Sequence, residues 1–246
     1  MVRCNKSFLI PWKECMKFLK TKAKLFYPLL LLVFYILVRP QFRELAQLVS
    51  NQVGQALSYF WTLLFLEAGY LMLVFSFVKK YSPRTVFQWA KKKQFLPAIY
   101  ATIFTSCAIY WLDYFLSGFT KGRLAIYHSF PVTLEALGSL ILFVLVVIIR
   151  PMTVELVFRG ALVQAYFKKW PFYASIWAPA LIYSGFQFLQ HPFTVLSFLI
   201  YTIPSLLFGL LNEKTGSLYY PILAHIGLNF IYSLPIILST IQHLFS

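Results

Sequence analysis

Long apolar runs separated by short basic or polar breaks set the pattern of this chain. A helix that crosses a bilayer needs about 20 apolar residues, with a range near 17–25. Runs close to that length occupy Leu57–Val78, Phe95–Phe115, Val132–Ile149, Met152–Phe167, Pro171–Gln190, Phe193–Leu211 and Tyr219–Phe245. Leu25–Val38 is slightly short, but its flanking Lys and Arg can snorkel. No stretch alternates with the period of a strand and no internal repeat stands out. The expected fold is therefore all-α, a multi-pass membrane protein of about seven to eight transmembrane helices. The last run is long enough to bend at Pro235. Val132–Phe167 is ambiguous. As one straight helix it would span about 54 Å, against a hydrocarbon core of about 30 Å. It either crosses once and continues along the surface, or breaks at Arg150-Pro151.

Composition agrees with a bilayer as solvent. Of 246 residues, 60% are hydrophobic and 12% charged, too few polar groups to coat a water-facing surface. The charges are 22 Lys+Arg against 7 Asp+Glu. In a soluble protein that excess would point to nucleic acid. Here the basic residues lie between apolar runs and no basic aromatic module is visible, so the expectation is no nucleic acid and a lipid bilayer as partner. Lys and Arg crowd the segment before the first run and the segment Lys79–Lys93, whereas the opposite side receives only Arg39, Arg43, Lys121 and Arg123. This bias predicts a cytoplasmic N-terminus. Three segments follow: a basic interfacial stretch over 1–23, N-terminal transmembrane helices over 24–130, and a transmembrane core over 131–246. The N-terminal stretch reads as an interfacial helix or as a plain topogenic tail, and not as a cleavable signal. Cys4, Cys15 and Cys107 are scattered and suggest neither disulfides nor a metal cluster.

Ionisable residues inside membrane segments are costly and are functional candidates by default. Glu67, Asp113, Glu155, His191 and His225 lie at or near apolar cores. Glu135 falls near a helix start and reads as an interfacial charge. Glu67 and Asp113 are isolated and read as structural hydrogen-bonding residues. Arg159 follows Glu155 at i+4, which places both on one helix face in the favourable order. Asn229 follows His225 at the same spacing. Each pair has a purely structural reading, as a buried ion pair or an interhelical hydrogen bond. Each also has a chemical one. A buried glutamate can act as general base on water, with an Asn amide and a His N–H stabilising an oxyanion. Equally, two His and one Glu form a zinc set with an open fourth position, although no HExxH helix argues for zinc. On straight helices His191 lies about 33 Å from Lys169 and Glu155 about 21 Å from it, so bringing them together needs tilt or a bend.

At these residues the chain resembles the CPBP family, the CAAX-prenyl-protease and bacteriocin-processing (Abi) intramembrane proteases, over about residues 132–235. The family motif Glu-Glu-x-x-x-Arg-Gly, preceded by Pro, is matched from Pro151 to Gly160 except at its first Glu, which is Val154. The second motif, Phe-x-x-x-His, is matched by His191, with Ser184 upstream, but Gln187 holds the Phe position. The third region is matched by Phe208-Gly209, Thr215-Gly216-Ser217 and His225 to Asn229. The resemblance implies an intramembrane endopeptidase of a bacterial cell membrane acting on a membrane-near peptide or protein. It carries Glu155, Arg159, His191, His225 and Asn229 into the catalytic set. It does not carry over the base, because Val154 cannot take a proton and Glu155 points about 100° away on a regular helix. Reduced activity is one consequence. The alternative is a catalytically degenerate homologue acting as a bacteriocin self-immunity factor or membrane scaffold. A carrier with a proton path through Glu67, Asp113 and Glu155 is a third reading, disfavoured by the lack of an inverted repeat.

Overall fold

The computed structural model describes residues 26–53, 56–82, 87–88, 92–117, 136–188 and 194–245. The basic segment 1–23, Glu135 and His191 lie outside the described residues, as does the side chain of Asp113. No strand occurs among the described residues, and the all-α expectation holds. The helices are α1 (Phe26–Val38), α2 (Gln41–Val53), α3 (Ala56–Tyr81), α4 (Lys92–Ser117), α5 (136–167), α6 (Ala174–Gln187), α7 (Val195–Thr215) and α8 (Tyr219–Phe245). By length and composition, Leu57–Tyr81, Phe95–Leu112 and Leu137–Phe167 are each sufficient to cross a membrane.

α5 is continuous, so the break considered at Arg150-Pro151 does not occur. The six residues before Arg150, Val144–Ile149, are π-helical, and the Arg150 N–H reaches Leu145 O. A proline ring collides with the carbonyl four residues back and supplies no N–H. The widened i→i+5 turn just before Pro151 accommodates that ring without ending the helix. A second π segment, Leu156–Phe167, starts directly after Glu155. α8 likewise continues past Pro235.

Side-chain contacts fix the relative directions of the helices. Phe60 lies against Gly138, Glu67 bonds Arg150, and Val78 lies against Gly160, so α3 runs parallel to α5. Tyr27 stacks on Tyr81 while Tyr70 donates to Leu31 O, so α1 runs antiparallel to α3. His225 meets Glu155 and Asn229 meets Val146 O, so α8 is antiparallel to α5. Thr202 bonds Ser184 and Glu213 bonds Ser175, so α7 is antiparallel to α6. One buried cluster joins Tyr35 of α1, Leu63 and Val74 of α3, Phe158 and Leu162 of α5, and Leu218 just before α8. A second joins Ile109 of α4 with Phe208 of α7 and Leu228 of α8.

The α7–α8 connection shows how local chemistry places the third motif. Gly216 adopts φ +66°, which a Cβ would oppose, and its N–H closes α7 onto Asn212 O at 2.8 Å. Ser217 then caps α8, its Oγ accepting from the Tyr219 N–H at 3.3 Å.

Candidate active site

Glu155 sits on α5 at the junction between its regular turn and the second π segment. Its side chain is 0% exposed. Arg159, one turn on and 1% exposed, donates from Nη1 to Glu155 Oε1 at 3.2 Å. The same oxygen lies 3.0 Å from His225 Nδ1 on α8. Glu155 Oε2 and Arg159 Nε are buried without a hydrogen-bond partner. The other end of the guanidinium is anchored on α7, where Nη2 donates to Ser205 O at 2.7 Å and to Ser205 Oγ at 2.6 Å. One carboxylate and one guanidinium thus tie three helices together.

His225 is held from a second side. Its ring stacks on Phe208 of α7, centroids 4.9 Å apart and planes at 23°. A Nδ1–H that donates to Glu155 Oε1 leaves Nε2 as the acceptor, the tautomer a general base needs. One turn along α8, Asn229 Nδ2 donates to Val146 O at 3.0 Å, a carbonyl inside the first π segment. That bond uses one of the two amide hydrogens and fixes the direction of the other. Ser184 of α6 is buried, donates to Ala180 O and accepts from Thr202 of α7.

Glu155, Arg159 and His225 therefore meet, and Asn229 lies one turn away on the His225 face. Val154 points elsewhere, into the apolar cluster with Val157 and Phe158. Glu67 is a separate centre. It is buried on α3, with Arg39 Nε at 2.9 Å from Oε2 and Arg150 Nε at 3.3 Å from Oε1. Its reading as a structural hydrogen-bonding residue fits these partners. Phe208 enters the sequence reading only as part of the third motif region, and Ser205 not at all. Pro204 was the available signal for Ser205, because a proline inside α7 marks an unusual backbone next to it.

Among the described residues no three potential metal ligands come together. Glu155 Oε1 carries the Arg159 guanidinium, whose positive charge opposes a metal ion beside that carboxylate. Among the described residues Glu155 and His225 alone do not make a zinc centre.

Residues 136–231 match the family model described as type II CAAX prenyl endopeptidase Rce1-like. Over this segment the chain is similar to that family. The matched segment begins with α5 and ends within α8, and so contains Glu155, Arg159, His225 and Asn229 as well as the His191 position. No curated protein and no solved structure matches the chain. The matched family is one of CAAX prenyl endopeptidases, the match covers less than half of the chain, and three helices among the described residues are long and apolar enough to cross a membrane.

Proposed function

We propose that this Rce1-like protein is an intramembrane endopeptidase that hydrolyses a peptide bond near the membrane surface, using His225 as base with Glu155 behind it. The observation that carries this reading is the 3.0 Å contact between His225 Nδ1 and a fully buried Glu155 carboxylate. A carboxylate behind an imidazole fixes its tautomer and stabilises the imidazolium when it forms. His225 Nε2 takes a proton from a water molecule, and the hydroxide adds to the scissile carbonyl carbon. The remaining Asn229 N–H faces the developing oxyanion. The C–N bond then breaks as Nε2 returns its proton to the leaving amine. Arg159 and Ser205 position Glu155 and do not touch the reacting atoms. His191 belongs to the catalytic set by resemblance, as the partner of the water. With Val154 in place of a carboxylate, turnover is reduced, since a general base typically contributes about 10²–10⁴-fold. The substrate class is a membrane-near peptide, such as the end of a prenylated protein, a peptide pheromone or a bacteriocin leader. The N-terminus and the lysine-bearing helix ends face the cytoplasm of a cell membrane.

Cleavage of a membrane-tethered peptide library in liposomes tests the reading. Wild type is expected to cleave slowly, His225→Ala to lose cleavage, and Val154→Glu to cleave faster. A silent wild type beside an active Val154→Glu would sink the proposal. It would favour a second reading, supported by the burial of Val154 among apolar residues. On that reading the chain is a homologue that has lost its base and serves as a bacteriocin self-immunity factor or membrane scaffold.

A further inference from the structure

Between α5 and α6 the chain turns through Lys168-Lys169-Trp170-Pro171-Phe172-Tyr173. Phe172 and Tyr173 both hold left-handed backbone, φ 59° and 55°. Bulky residues adopt that region only at a conformational cost, and a turn shaped for stability alone would carry Gly or Asn there. Burial does not offset the cost. Phe172 is 86% exposed, Tyr173 75%, Trp170 60% and Trp177 44%.

The turn is nonetheless fixed. Trp177 Nε1 donates to Phe172 O at 2.9 Å, the Trp170 N–H to Phe167 O at 3.1 Å, and the Ala174 N–H to Pro171 O at 3.3 Å. Trp170 meets the Phe167 ring edge-on at 5.5 Å. The turn therefore presents several aromatic rings outward beside the exposed Lys168 and Lys169. Neighbouring ties place the turn at the basic end of the bundle. Ser175 bonds Glu213, next to Lys214 at the end of α7. Ser82 donates to Gly160 O, which brings the end of α3 with Lys79 and Lys80 to the same side.

Trp and Tyr rings favour the level of lipid headgroups, and lysines at that level attract anionic lipids. We propose that the 168–173 turn, with Trp177, is a binding site for anionic phospholipid headgroups. Lys168 and Lys169 meet the phosphate, and the aromatic rings sit at the boundary with the acyl chains. The site fastens the far end of α5, the helix that carries Glu155 and Arg159, to the membrane surface.

Native mass spectrometry of the delipidated full chain, titrated with phosphatidylglycerol or phosphatidylcholine, tests this without reference to peptide cleavage. Wild type is expected to bind phosphatidylglycerol more tightly. Lys168→Ala with Lys169→Ala lowers that affinity roughly 10–30-fold. Phe172→Gly with Tyr173→Gly removes the strain, so the protein unfolds in detergent at an equal or higher temperature while binding the lipid more weakly. Lys79→Ala with Lys80→Ala keeps most of the affinity. Unchanged affinity in either turn variant would overturn the assignment. So would an equal loss in the Lys79/Lys80 variant, which would give the preference to the whole basic face.

Discussion

Two cationic or polarisable partners converge on one oxygen of Glu155, while its other oxygen is buried without a partner. Breaking a buried ion pair from one side leaves a charge that the interior cannot solvate, at a cost of about 3–5 kcal/mol. Arg159→Ala should therefore lower the unfolding temperature in detergent by far more than Ser205→Ala. The serine variant keeps the backbone carbonyl that accepts from Nη2 and loses only the hydroxyl contact, about 1–3 kcal/mol. Equal losses in the two would mean that the Ser205 hydroxyl contact, and not the Glu155 charge left unpaired, dominates the cost. The Glu155–Arg159 pair was legible in the sequence, because i+4 spacing alone puts two side chains on one face. The Glu155–His225 contact was not. Those residues are 70 positions apart, and only the packing of α8 against α5 brings them together. Glu67 was legible as a polar residue in an apolar run, but its partners Arg39, in the turn after α1, and Arg150, on α5, are distant in sequence and were not.

Helix existence followed from the apolar runs, whereas helix geometry did not. Apolar length cannot distinguish a π turn from an α turn, so the continuity of α5 through Pro151 was open until the widened turn before the proline was seen. α2 went unread for the opposite reason. Its buried residues Phe42, Ala46 and Ser50 recur every four positions, but polar residues between them hide it from a search for apolar spans. The close approach of α3 and α8 to α5 likewise rests on a residue with no side chain. A Cβ on Gly160 would stand 2.9 Å from Val78 Cγ1 and 3.0 Å from Leu218 Cδ1. The leucine tip can swing aside, but Val78 is buried and stiff at χ1. Gly160→Ala should destabilise by about 1–3 kcal/mol, as overpacking does. Adding Val78→Ala should recover part of that loss, a coupling that a double-mutant cycle reads directly. Gly185→Ala on α6 is the matched opposite case. Nothing lies within 4 Å of its Cβ, so the better helix propensity should stabilise by up to about 1 kcal/mol. A loss at Gly185 as large as that at Gly160 would mean that the close approach of Val78 does not set the value at Gly160.

For the whole molecule, the contacts and the charges agree on one polarity. The parallel and antiparallel pairs put the ends of α3, α5 and α7 on the side where α6 and α8 begin. The described lysines Lys79, Lys80, Lys168, Lys169 and Lys214 all lie at that end, while the start of α3 is shared with the polar helix α2, which bears Arg43 and Glu44. Basic residues near span ends tend to be retained in the cytoplasm, which predicts that the lysine end is the inner one. The active-site cluster then has a defined depth. Arg159 adjoins Gly160, which is level with Val78 and Ser82 near the lysine end of α3, so the predicted orientation would have the proposed peptide substrate approach from the cytoplasmic leaflet. Single cysteines at the two ends test this once Cys4, Cys15 and Cys107 are replaced. In intact cells, Lys169→Cys should resist a membrane-impermeant maleimide until the membrane is opened, whereas Gln52→Cys, exposed on α2, should react from outside. The reverse labelling would invert the molecule. The Glu155–His225 dyad would stay intact, but its cleavage site would move to the outer leaflet and the Lys168–Tyr173 turn would leave the surface where anionic lipid is concentrated.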